Sequence, residues 1–138
     1  MDNDFEIINR HLVVSKDLNF YGNLHGGVML LWIDEAGYLY AVEKIGYANL
    51  VTVSLENVRF QNPARNGDAI VIQGRIKSIG RSSLTIQTRA LVKEPEVVRE
   101  IITCDITYVC LKDGRPYSYF KSPEYLESIA SQGRSYSS

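Results

Sequence analysis

A chain that works by acid–base or nucleophilic chemistry must hold a carboxylate, imidazole or thiol against a polarised bond. In this chain such groups gather in residues 23–42, NLHGGVMLLWIDEAGYLYAV. Asp34 and Glu35 interrupt an otherwise apolar run, and carboxylates seldom enter apolar surroundings unless they are paired or used. Asp34 can take a proton from water or attack an electrophilic carbon itself. Asn23 precedes the run with an amide that both donates and accepts. Gly26 and Gly27 open it, and the first N–H groups of a helix lack intrahelical acceptors and lie at its positive end. They form a candidate oxyanion site, since glycine lets a carbonyl approach closely.

Each residue also has a plainer role. Asp34 serves equally as a structural acid bonded to a loop, and Asn23 as a turn residue. Glu35 lies about 100° further round a helix, so the two acids need not share a site. We assign it a structural or surface role, and His25 one of local packing or capping. The glycine pair also permits a tight helix entry.

These residues need elements to hold them. Residues 5–15 suggest a short first strand, and 16–23 a loop. A helix runs from Gly26 or Gly27 to about Lys44, ended by Gly46. It is apolar nearly all round, which predicts burial on most sides. Four strands follow at 50–60, 69–79, 84–92 and 98–111. In the first, Val51, Val53 and Leu55 share a face, and a bulge near Glu56–Asn57 shifts the pattern to Val58 and Phe60. Ile102, Cys104, Ile106, Tyr108 and Cys110 line one face of the last. The tail offers Ser122 as N-cap, Pro123 at the first helical position and Gly133 beyond, the signals of a short helix. The order predicts an α+β hotdog fold, a curved antiparallel sheet wrapped around one long central helix. One domain over 1–138, with 116–138 as a C-terminal tail, fits the length.

Composition narrows the function. Hydrophobic residues make up 45% of the chain, enough for a packed core. Net charge of −1 gives no general pull toward nucleic acid or an anionic membrane. Residues 28–42 are too short and too charged to span a bilayer, and the acidic start has no signal-peptide core. A cytoplasmic protein is expected. Cys104 and Cys110 lie six apart in one strand, roughly 20 Å, too far for a disulfide. With His11 and His25 far apart in sequence, no metal site is expected.

Over about residues 12–112 the chain resembles the hotdog acyl-CoA thioesterases. The likeness is to the acyl-CoA hydrolase branch of YciA-type and brain-type cytosolic enzymes. It is carried by Gly22-Asn23-Leu24-His25-Gly26-Gly27, Trp32-Ile33-Asp34-Glu35-Ala36-Gly37, Val51-Thr52-Val53, Phe60-Gln61-Asn62-Pro63, Gly67-Asp68 and Gly80-Arg81-Ser82-Ser83. The resemblance implies hydrolysis of acyl-CoA to free acid and CoA. It implies a homodimer as the minimal unit, often three dimers in a hexamer. In the family an Asn from one subunit faces an Asp on the helix of the other, which carries over to Asn23 and Asp34. No cofactor is implied, because CoA is part of the substrate.

CoA phosphates call for basic side chains. Arg59, Arg65 and Arg81 are the candidates, with Ser82 and Ser83 beside Arg81, and Arg81 is preferred for its flanking glycine and hydroxyls. Two other hotdog functions compete. A non-catalytic acyl-CoA sensor needs a partner or DNA-binding element, and no recognition helix is visible. A hotdog dehydratase needs an Asp–His spacing that the helix lacks.

Overall fold

The computed structural model describes residues 4–119. The expected tail helix, with Ser122, Pro123 and Gly133, lies outside the described residues.

The long helix α1 is Gly26–Ile45. The imidazole of His25 caps it, Nδ1 accepting the Gly27 N–H at 3.0 Å. Gly46 ends it with φ 69° and donates its N–H to the Val42 carbonyl, a left-handed turn that glycine adopts at no steric cost. The strands are β1 (Glu6–Leu12), β2 (Leu50–Phe60), β3 (Ala69–Ile79), β4 (Ser83–Lys93), β5 (Val98–Lys112) and the two-residue β6 (Arg115–Pro116). All paired strands are antiparallel, in the order β1-β3-β4-β5-β2 with β6 beside β5. The hotdog arrangement is therefore present, with strand bounds close to those read from periodicity.

The inner face of the sheet is apolar. Ile70, Ile72, Leu84, Ile86, Ala90, Ile102, Cys104, Ile106, Tyr108 and Cys110 are buried against Met29, Ile33, Ala36, Tyr40 and Ala41 of α1. The outer face is polar, and its groups are satisfied across strands. Arg75 donates to Gln87, Arg89 to Gln73, and Lys77 and Asn57 both donate to Asp105. Asp105 is buried with both partners in place, the condition under which a carboxylate tolerates burial.

One expectation holds with an exception and one needs correction. The helix is buried or half-buried on most sides, but the sheet leaves one stripe open. Leu31 and Leu39 on that stripe are 53% and 62% exposed, beside exposed Gly27, Glu35 and Glu43. Val51, Val53 and Leu55 do not share a face. Thr52 pairs with Tyr108 and Ser54 with Thr107, so Val53 is an extra residue, a bulge. Val51 then faces outward with Val109, while Thr52 and Leu55 both face inward, opposite Tyr108 and Ile106. The expected second bulge is present between Glu56 and Arg59, where Asn57 takes φ 54°.

Both cysteines are buried and free. Burial pushes the Cys104 thiol up to about 11, helped by the charges of Asp105 and Asp34, and Cys110 up to about 12. A raised thiol pKa contributes stability below the unfolded value of about 8.5 and loses it as pH rises through the folded value. Stability should therefore fall as pH climbs from about 8.5, and less steeply after Cys110→Ala. Denaturation midpoints at stepped pH check this. Neither thiol should react with Ellman's reagent at pH 8 until the chain unfolds.

Candidate active site

Asp34 sits in the third turn of α1, half-buried, where the helix meets β2 and β5. Its Oδ1 accepts from Thr52 Oγ1 at 2.8 Å and from the Tyr108 hydroxyl at 3.3 Å. The same hydroxyl donates to the Asp34 carbonyl at 2.9 Å. Oδ2 makes no hydrogen bond among the described residues. The carboxylate is thus held by one oxygen.

Tyr108 reaches that position because residue 37 has no side chain. A Cβ on Gly37 would lie 2.5 Å from the Tyr108 hydroxyl oxygen. Tyr108 is fully buried, and burial together with the Asp34 carboxylate pushes its phenol far above the ordinary tyrosine range. Its neutral, donating form is thereby favoured.

A cleft of about 530 Å³ opens beside Asp34, lined by Asn9, His11, Glu35, Tyr38, Leu39 and Thr52. A second, of about 300 Å³, lies at the start of the helix, where Asn23, Gly26, Phe60 and Asn62 meet. The two share no lining residue. Asp34 is two turns into the helix, roughly 12 Å along its axis from Gly26. Within one chain, Asn23 and Asp34 are not brought together.

The Asn23 loop is built to hold its shape. Asn19 Oδ1 accepts from the N–H groups of Tyr21 and Asn23 at 2.9 and 3.1 Å, and Gly22 turns the chain with φ 81°. The side-chain amide of Asn23 makes no hydrogen bond among the described residues. At the helix start, the N–H of Gly27 is committed to His25, as are those of Val28 and Met29 to the His25 carbonyl. Only Gly26 of the expected oxyanion pair keeps its N–H without a partner among the described residues, and the ring of Phe60 stands 3.3 Å from where its Cβ would be.

The expected phosphate ligands lie at opposite ends of the sheet. Arg59 pairs with Thr103, whereas the turn holding Arg81 and Ser82 is bonded to Cys110 and Ser83 pairs with Val109. That separation is about 20 Å along β5, so Arg59 and Arg81 of one chain do not clamp one phosphate. Arg65 is exposed, its backbone bridged to Asn23.

Sequence reasoning missed Thr52 and Tyr108 as site residues. Alternation read through Val51, Val53 and Leu55 puts Thr52 on the opposite, polar face, and only with Val53 as a bulge do Thr52 and Leu55 both face inward. Tyr108 reads as core. The pairing of Gly37 with a buried tyrosine was the available signal, but it links residues 71 positions apart.

Residues 21–98 match the model of the thioesterase superfamily, and the chain belongs to that family. More particularly, it is 32% identical over 88 residues to an uncharacterized acyl-CoA thioester hydrolase of Haemophilus influenzae, covering 64% of this chain and 56% of that one. It is 29% identical over 111 residues to the cytosolic acyl coenzyme A thioester hydrolase of Rattus norvegicus, covering 77% and 29%. The chain thus spans little more than half of the bacterial relative and under a third of the mammalian one. A solved hexameric thioesterase from Yersinia pestis matches with a TM-score of 0.76 at 29% identity, over 82% of this chain and 93% of that one.

The Gly37–Tyr108 contact generates a double-mutant test. Gly37→Ala should cost about 1–3 kcal/mol through overpacking. In a Tyr108→Phe background the clashing oxygen is gone, and the same substitution should be neutral or stabilising, because alanine favours helix by about 1 kcal/mol. Chemical denaturation of the four proteins measures the coupling, and strict additivity would refute the contact.

Proposed function

We propose that this protein is an acyl-CoA thioesterase whose active site forms between two copies of the chain. The single observation that carries this is the split just described. Asp34 has a free carboxylate oxygen in one cleft, while Asn23 and the Gly26 N–H stand in another. A second copy related by a two-fold axis brings one chain's Asn23 to the other's Asp34, and two equivalent sites result.

The reaction needs no resident cofactor. A thioester carbonyl is electrophilic, and CoA enters with the substrate and leaves as product. In one route Asp34 Oδ2 removes a proton from a water as that water attacks the carbonyl carbon. In the other Oδ2 attacks directly, and water then cleaves the anhydride. In the first, the C–S bond breaks and the CoA thiolate takes up the proton removed from the water; in the second, the thiolate leaves as the anhydride forms, and the water that cleaves the anhydride supplies its proton. Thr52 and Tyr108 hold Oδ1 and so fix the plane of the carboxylate. The partner's Asn23 orients the water or the carbonyl, and the Gly26 N–H receives the developing oxyanion, with Gly27 joining only if His25 releases it. Gly26 thus carries most of the role first given to the pair.

Arg81, Ser82 and Ser83 in the β3–β4 turn, with Arg59 on β2, are assigned to the CoA phosphates. A partner lying antiparallel along β2 would bring the Arg59 end of one chain toward the turn of the other. β2 suits that pairing. It is a sheet edge with backbone groups open on one side, and Val53 and Phe60 are each 54% exposed. The hexameric Yersinia pestis relative supports a trimer of such dimers. A cytoplasmic location is proposed from the cytosolic mammalian relative. Among the described residues no helix is long and apolar enough to cross a membrane.

Thiol release from a panel of acyl-CoA esters tests the activity. Asp34→Asn should lower turnover by at least a hundredfold while the fold persists. If no ester releases CoA yet one binds tightly, the protein is an acyl-CoA sensor. Mixing inactive Asn23→Ala and Asp34→Ala chains should restore activity, since one of the two sites in each mixed dimer is intact. No recovery despite proven subunit exchange would count against a site shared between the two copies.

A further inference from the structure

The cleft beside Asp34 has an unusual wall. On β1 a register shift between Ile7 and Asn9 makes Ile8 an extra residue. Asn9 then pairs with Ile72 and His11 with Ile70, so both polar side chains sit on the inner face, where the neighbouring strands place isoleucine. Both are half-buried. The His11 ring lies flat on the Trp32 indole, with centroids 4.3 Å apart and planes 5° apart, which fixes its orientation. Asn9 Nδ2 and His11 Nε2 share a long hydrogen bond at 3.5 Å, and Asn9 Oδ1 accepts the Arg10 N–H at 2.8 Å, so the second Nδ2 hydrogen and the His11 Nδ1 are left for a ligand, without a hydrogen-bond partner among the described residues. Of the residues lining the cleft, only Leu39 is aliphatic.

An alkyl chain laid against this wall would strip water from an amide and an imidazole without replacing their hydrogen bonds. That loss offsets the gain of about 0.8 kcal/mol per buried methylene. A group carrying its own hydroxyl keeps those bonds. A second carboxylate is disfavoured on this chain's side of the cleft, where Asp34 and Glu35 lie and, among the described residues, no lysine or arginine does.

We propose that this cleft selects acyl groups bearing a neutral hydroxyl, read by Asn9 and His11. The inference rests on the thioesterase reading above and names its substrate class.

The test compares hexanoyl-CoA, 3-hydroxyhexanoyl-CoA and adipyl-CoA with the wild type, Asn9→Leu and His11→Leu. Asn9→Leu leaves the Trp32 stack in place, so one variant keeps its local packing. The hydroxy ester should exceed hexanoyl-CoA about tenfold in kcat/KM, the worth of one good hydrogen bond. Adipyl-CoA should be the poorest. In each variant the ratio of hydroxy to plain ester should fall to one or below. A wild type that prefers hexanoyl-CoA, or ratios unmoved in both variants, overturns the proposal while leaving the thioesterase intact. If no ester turns over, the thioesterase reading fails. Calorimetry with the same esters then decides the selectivity, and equal Kd values for the plain and hydroxy esters overturn it.

Discussion

The hydroxyl of Tyr108, seated in the space that a side chain at Gly37 would fill, joins the central helix to the middle of the sheet. A buried phenol without a partner would cost several kcal/mol. Here it donates toward the carbonyl and the carboxylate of Asp34. The bond therefore does two things at once. It sets the depth at which α1 lies on β5, and it fixes a carboxylate that would otherwise rotate. Thr52 completes the arrangement from β2, so three elements converge on one oxygen of one side chain.

The rest of the single chain is built around an absence on one side. The sheet covers α1 except along the stripe of Leu31, Glu35 and Leu39. β2 ends the sheet with Val53, Leu55, Val58 and Phe60 exposed. Apolar surface left on one edge and one helix stripe is what a second copy would cover. Under the dimeric reading proposed above, one pairing of copies would cover that apolar surface and join the two clefts.

The outer face follows a different logic. Its arginines, glutamines and Asp105 pair across β3, β4 and β5 and with the Asn57 bulge, and the ring of Phe5 lies between the guanidinium groups of Arg75 and Arg89. Cross-strand pairs of this kind hold register, because a slip of one residue would turn every polar group toward the core.

Much of this was legible in the residues. Alternation over Leu84 to Val92 and Ile102 to Cys110 marked two core strands, and Gly46 marked the end of the helix. The Asn23, Gly26-Gly27 and Asp34 spacing marked the candidate site. These are local signals, set by periodicity and by backbone conformations that few residues tolerate. What the sequence could not show depends on contacts between distant segments. The bulges at Ile8 and Val53 change the faces of Asn9, His11, Val51 and Thr52 from those that strict alternation gives, and no local pattern announces these two, since they are settled by the strands they pair with. The commitment of the Gly27 N–H to His25 depends on one rotamer. The fold and the position of Asp34 within the central helix were therefore legible in the sequence alone. Which side chains hold that carboxylate, and which line the cleft beside it, were decided only by tertiary structure, because register across strands is a property of pairs and not of either strand.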